Sequence, residues 1–279
     1  MKMFLKALAA TAVLAMGSAG ALAQSVPTQP APGPIPSPGT GDGGLVVVIW
    51  DAVRGVSLTQ YLGLTLTQIL PTGTNMEQAG FRLDFGVLGN YASIFGASNQ
   101  SDIQYMVVAA DGTGGTFSGR NIATTAALGS IYPTTSNSRT RDAASAVRNF
   151  LENANGCNLQ TPCIAANNAE ATYAGGTNFG SNLGSQLLAS SATTVGTALG
   201  FYLLTTVNNL AVGATAVAVV DVYQSTAGAF AQWLLGTDGR LVYSVAGDTV
   251  VPLPAAVWLL LSGLVGVGTI GRRRAVAAA

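Results

Sequence analysis

The chain has 279 residues, 49 % of them hydrophobic and only 9 % charged, with 35 glycines and no histidine. That composition excludes wholesale disorder, which needs high charge and little apolar surface, and it removes every imidazole base and every His-ligated metal site. The formal charge of zero conceals an asymmetry: Lys2, Lys6, Arg272, Arg273 and Arg274 lie in the end segments, so seven arginines face twelve carboxylates between them, a net of −5 with no lysine. Nucleic-acid binding, which needs clustered cations against phosphate, is not expected.

Met1 to Lys6 is a basic start, Ala7 to Met16 is apolar, and Ala21-Leu22-Ala23 before Gln24 is a small-x-small cleavage site. Residues 1–23 read as a secretory signal peptide, too short in its apolar run for a stable span. Residues 24–44 hold Pro27, Pro30, Pro32, Pro34, Pro36 and Pro38 and then Gly39, Gly41, Gly43 and Gly44. Proline fixes φ and removes a donor, so this segment reads as an extended linker passing into a flexible joint.

Residues 45–250 read as one mainly β, extracytoplasmic domain. Leu45 to Trp50 is a continuous β-branched run, and Ser57 to Leu70 alternates apolar and polar residues as a half-buried strand or strand pair does. Phe81, Leu83 and Phe85 alternate with Arg82 and Asp84. Ile103 to Ala110, Val195 to Val207 and Ala214 to Tyr223 are further β-rich runs. Phe230 to Leu235 and Arg240 to Val245 flank Gly236-Thr237-Asp238-Gly239, in which Asp-Gly supplies the φ > 0 positions of a tight hairpin.

Two stretches depart from this pattern. Ser138 to Asn153 places Ala144, Val147, Phe150 and Leu151 at helical spacing behind a capping serine, and Phe179 to Ala189 is a weaker helical candidate. Cys157 and Cys163, around Cys-Asn-Leu-Gln-Thr-Pro-Cys, are expected to form a disulfide in an exported chain. The expected architecture is thus a single β-sandwich-like domain with a short helical and disulfide insertion.

Catalytic patterns are scarce. There is no Gly-x-Ser-x-Gly elbow and no base for a serine nucleophile. Asp51, Asp84, Asp102, Asp111, Asp221, Asp238 and Asp248 could supply a carboxylate pair for glycoside cleavage if the fold brought two within about 5 to 10 Å. Asp111-Gly-Thr-Gly-Gly has too few carboxylates for calcium, which takes six to eight oxygens. Gly266 to Gly271 matches a dinucleotide-loop spacing without room for a βαβ unit, so it reads as small residues on a helix. No catalytic residue, metal ligand or cofactor is expected. Trp50, Trp233 or tyrosines, if exposed, would offer stacking faces to sugars, as a carbohydrate-binding module would.

Residues 251–279 are the most specific part. Val251-Pro252-Leu253-Pro254-Ala255 precedes an apolar run through Trp258, and Arg272-Arg273-Arg274 closes it. Leu253 to Gly271 is 19 residues, about 28 Å as a helix and long enough to cross the hydrocarbon core. The arginines orient the C-terminus to the cytoplasm, and Trp258 suits the opposite interface.

These residues resemble the C-terminal sorting signal of PEP-CTERM proteins, in a variant with Val-Pro-Leu-Pro in place of Pro-Glu-Pro. The resemblance covers the last 29 residues. It implies recognition by an exosortase, cleavage near Val251 to Pro254, and delivery to the surface or matrix of a Gram-negative bacterium, where such proteins accompany exopolysaccharide and biofilm. The function expected from it is a non-enzymatic structural or adhesive surface protein. A carbohydrate-binding module or an enzyme with paired aspartates is the alternative.

Overall fold

The computed structural model describes residues 35–71, 74–113, 121–130, 134–156, 163–165, 170–173, 183, 187, 191–207 and 215–247. The β-branched run forms β1 (Gly44–Asp51), buried along its whole length because both faces are covered. Leu45, Val47 and Ile49 enter one apolar cluster, while Val46, Val48 and Trp50 enter another. On either side lie β2 (Val56–Thr65) and β4 (Ile103–Asp111), both antiparallel to β1.

From β4 the sheet continues through β5 (Asn121–Ala127), β9 (Leu199–Thr205), β11 (Ala231–Leu235) and β12 (Arg240–Val245) to β3 (Arg82–Val87). From β2 it continues through β7 (Glu170–Tyr173) to β6 (Cys163–Ala165). Two short strands pair off this path, β8 (Thr193–Thr194) with β4 and β10 (Val219–Val222) with β9. The mainly β reading therefore stands. The two stacked sheets of a sandwich are replaced by one continuous antiparallel sheet of twelve strands among the described residues, because the seven-residue β5–β9 ladder joins what would have been separate halves.

The sheet curls around its inner cluster. Side chains from β3 at one end to Leu58 and Leu62 of β2 near the other meet there, with an aromatic centre of Phe201, Trp233 and Tyr243. Three of the phenols inside this core find a carbonyl, whereas the Tyr91 hydroxyl is buried without a partner. Tyr105 donates to Thr197 O at 2.7 Å and Trp233 O at 3.0 Å, Tyr223 to Ile69 O at 2.8 Å, and Tyr243 to Met76 O. Burial pushes the Tyr105, Tyr223 and Tyr243 hydroxyls well above the ordinary phenol range, so they remain donors.

The expected helix is α3 (Asn137–Gly156), three residues longer than expected at its C-terminal end. Ala144, Val147, Phe150 and Leu151 pack on the outer face of β1 and β4, as their spacing required. Two short helices lack a sequence signal strong enough to be expected. In α1 (Leu66–Ile69) the carboxamide of Gln68 accepts the Thr65 N–H and Asp42 accepts the Thr67 N–H, which ends β2 earlier than its apolar alternation suggests. The other is α2 (Tyr91–Phe95). The Phe179–Ala189 candidate lies outside the described residues except for Leu183 and Leu187, both buried against α3 and the sheet.

The second half of the Pro/Gly-rich segment is not a free joint. Ile35 is 2 % exposed, and the Asn155 carboxamide grips it twice, accepting its N–H at 2.7 Å and donating to its carbonyl at 2.7 Å. Ser37 donates to Glu152 at 3.0 Å, and Pro38 O accepts the Gly112 N–H at 2.8 Å. Proline's missing donor is no obstacle, because the carbonyls carry the contacts. Residues 35–43 form a strap across the end of α3. No helix among the described residues is long and apolar enough to cross a membrane, and the expected Leu253–Gly271 span and the expected signal peptide both lie outside those residues.

Candidate functional site

The residues expected to carry a sorting signal, Val251, Pro252, Leu253, Pro254, Ala255, Trp258, Arg272, Arg273 and Arg274, lie outside the described residues, as does Cys157, so the expected Cys157–Cys163 disulfide also falls outside them. The backbone of Cys163 opens β6 opposite Tyr173 of β7.

Most of the aspartates are occupied locally, and two of them, Asp84 and Asp238, both meet Arg240. Asp51 ends β1 buried, with one carboxylate oxygen accepting the Val53 and Arg54 N–H groups at 2.9 and 3.0 Å and the other without a partner. Burial works to raise its carboxyl, but the nearby Ser98 hydroxyl, the two N–H groups and the Arg54 charge outweigh it and hold it below the ordinary range. Asp102 accepts from Asn99 and Ser101, Asp111 from the N–H and hydroxyl of Thr113, and Asp238 from the Arg240 N–H. Asp221 is exposed on β10, and Asp248 lies outside the described residues. Glycoside hydrolysis needs one carboxyl held protonated, and Asp51 and Asp84 are both displaced the opposite way. Among the described residues no cluster of three Cys, Asp or Glu could hold a metal ion.

The tryptophans offered as sugar platforms are core residues. Trp50 is 2 % exposed under α3, and Trp233 is 0 % exposed in the inner cluster, stacked on Phe85 with centroids 5.7 Å apart. Tyr105, Tyr202, Tyr223 and Tyr243 are buried as well. Aromatic bulk in this composition fills the curled sheet.

What remains open is a sheet face. The outer face of β1 and β4 lies under α3, whereas the outer face of β11, β12 and β3 is only partly covered, exposed at Arg82, Leu234 and Arg240 and buried at Val242 in its centre. Alternation directs Trp233, Tyr243 and Leu83 inward, so the intervening residues point out. Cross-strand register places Gln232 opposite Ser244 and Ser244 opposite Arg82, with Leu234, Val242 and Asp84 in the next row. Phe230, 39 % exposed, and Leu234, 37 % exposed, bracket Gln232. The Gln232 amide donates to the Ser244 hydroxyl at 3.3 Å.

Asp84 sits between two guanidinium groups. Arg240 engages it through Nε at 3.0 Å and through Nη2, and Arg82 through Nη2 at 3.3 Å. The Arg240 hydrogen bonds are the main cause of a carboxyl held below its ordinary value against the opposing effect of burial, and the Gly86 N–H and Arg82 add to it. The arginine side chains are 51 % and 45 % exposed, so they present charge to solvent while fixed at one end. Sequence reasoning passed over Arg240, Gln232 and Arg82 as site residues. Their available signal was polarity at the positions alternating with Phe81, Leu83 and Phe85 and just after the Asp-Gly turn.

Comparison with known proteins matches no family model, no curated protein and no solved structure.

Proposed function

We propose that the chain is an exported surface or extracellular-matrix protein of a Gram-negative bacterium, sorted by an exosortase and acting as a non-enzymatic structural or adhesive component alongside exopolysaccharide. One observation carries this reading: the ordered succession of Val251 to Ala255, the apolar run with Trp258, and Arg272 to Arg274. The basic, apolar and small-residue order of residues 1–23 supports export. Before cleavage, Leu253 to Gly271 holds the body at the membrane as a single span. Pro252 and Pro254 cannot continue that helix freely, which leaves an extended stretch accessible to a protease.

The turn hydrogen bonds of Asp51, Asp111 and Asp238 and the ion pair of Asp84 support a structural use of these carboxylates. Intact mass of the protein extracted from the cell surface tests the reading. The expected species begins at Gln24 and ends between Val251 and Pro254. A surface species that still carries Arg274 refutes processing. Replacing Arg272, Arg273 and Arg274 together by Ala is expected to leave uncleaved precursor.

A further inference from the structure

We propose that Asn155 is a site of spontaneous deamidation, that the strap guards it, and that its conversion releases the strap permanently. Asn155-Gly156 is the only Asn-Gly step in the sequence. Glycine has no Cβ to shield its amide, so the nitrogen of Gly156 is the least hindered nucleophile that can follow an asparagine. That nitrogen attacks Cγ of Asn155 and gives up its proton, the Cγ–Nδ2 bond breaks, and ammonia leaves behind a five-membered succinimide. Water then opens the ring at one or other carbonyl, giving aspartate or isoaspartate. Water is the only co-reactant.

The fold restrains this reaction at two points. The carboxamide is clamped, Oδ1 accepting the Ile35 N–H at 2.7 Å and Nδ2 donating to the Ile35 carbonyl at 2.7 Å. Asn155 and Gly156 also close α3, and a helical backbone directs each amide N–H to a carbonyl one turn earlier rather than to the preceding side chain. Attack therefore waits until the strap lifts and the last turn frays, a local opening characteristic of helix ends. The product cannot restore the clamp. A carboxylate accepts the Ile35 N–H but has no proton for the Ile35 carbonyl, which leaves two oxygens facing each other. The new negative charge also stands at the negative end of the α3 dipole, three residues from Glu152, which accepts the Ser37 hydroxyl of the strap. Isoaspartate further inserts a methylene into the backbone of the last turn. Asn137 supplies the contrast. Its carboxamide pairs with the Val207 backbone through the same two bonds, at 3.0 Å each, but Ser138 follows it.

Incubation of the full chain in mild detergent at mildly alkaline pH, followed by peptide mapping by mass, tests this. Amide-to-acid conversion at Asn155 should be at least about tenfold slower in the folded chain than in urea, because the reaction follows the population of the open form. Ile35→Ala loosens the strap and leaves the Asn155-Gly156 step intact, so it should speed conversion in native buffer by about tenfold. The milder Ile35→Val, with about a twofold gain, reports if Ile35→Ala does not fold. Unaltered tryptophan emission shows that a variant has kept its fold. In urea, where the fold plays no part, Gly156→Ala should slow conversion by at least about tenfold, and Asn137 should convert more slowly than Asn155. Hydrogen exchange over residues 35–44 should be faster in the Asn155→Asp chain than in the parent, with residues 231–245 unchanged. Equal rates in folded and unfolded chain, or in the parent and both Ile35 variants, overturn the guarding role. Conversion in urea no faster at Asn155 than at Asn137 overturns the site, and parent-like exchange over residues 35–44 in the Asn155→Asp chain overturns the release.

Discussion

The strap across α3 makes a quantitative prediction. Ile35→Ala deletes a buried side chain from the cluster beneath α3, and truncations of this kind cost about 2 to 5 kcal/mol. A value near about 3 kcal/mol is expected, because the strap lies at the margin of the cluster and can relax. Asn155→Ala removes two hydrogen bonds to Ile35, together about 2 kcal/mol. Alanine's better helix propensity in the last turn of α3 returns about 0.5 kcal/mol. Both substitutions act on one anchor, so the double variant should lose less than the sum, with a coupling of at least about 0.5 kcal/mol. Urea unfolding followed by tryptophan emission measures this. With a slope near about 2 kcal/mol per molar, Ile35→Ala should lower the midpoint by about 1.5 M. If both single variants unfold at the parent midpoint, the strap contributes nothing and residues 35–43 are a linker after all. Strict additivity would refute the shared anchor.

Gly239 has φ +83°, and a Cβ there would lie 2.4 Å from the Tyr91 ring, so Gly239→Ala should cost about 2 to 4 kcal/mol in thermal or urea unfolding, whereas Gly89→Ala, with open space around it, should stay within about 0.5 kcal/mol of the parent. In a Trp258→Phe chain, iodide should barely quench the emission of Trp50 and Trp233, and quenching close to that of free tryptophan would contradict their burial. Asp84 has a depressed carboxyl, so its stabilising effect is complete above the unfolded carboxylate value of about 4 and is lost as pH falls from there through the folded value. Arg240→Gln should therefore melt below the parent at pH 7, and the gap should shrink below about pH 4; a gap independent of pH refutes the assignment of that stabilisation to the pair.

Legibility in the sequence followed how local the determining contacts were. The β11–β12 hairpin was readable because Asp238-Gly239 and its flanking apolar runs contain the whole signal, and α3 was readable from its own 3.6-residue period. β5 was not. Asn121 to Ala127 is mostly alanine and threonine, and it is a strand because β4 and β9 pair with both of its edges. The strap was misread for a similar reason. Its composition is that of a spacer, and its order comes from Asn155, 120 residues away. The same limit hid the candidate face, where Arg82 and Asp84 were visible as polar alternates, but their partner Arg240 is brought beside them only by the β3–β12 register.

The edge of the sheet next to that face bears on whether copies of the chain can pair through their backbones. β3 pairs only with β12 among the described strands, which leaves its other row of backbone groups available to add a strand from another molecule. Three features act against such addition. The ladder shifts register between Arg240 and Val242, Gly86 in that bulge takes φ +67°, and the Gly86 N–H is already accepted by Asp84 at 3.0 Å. Arg82 and Asp84 then place charge along the same edge, where any incoming strand would have to desolvate it. Bulge, occupied donor and charge together disfavour backbone pairing while leaving the guanidinium donors accessible. Strand addition is thus disfavoured at this margin of the sheet, and what the margin presents to another molecule is side chains rather than free backbone groups.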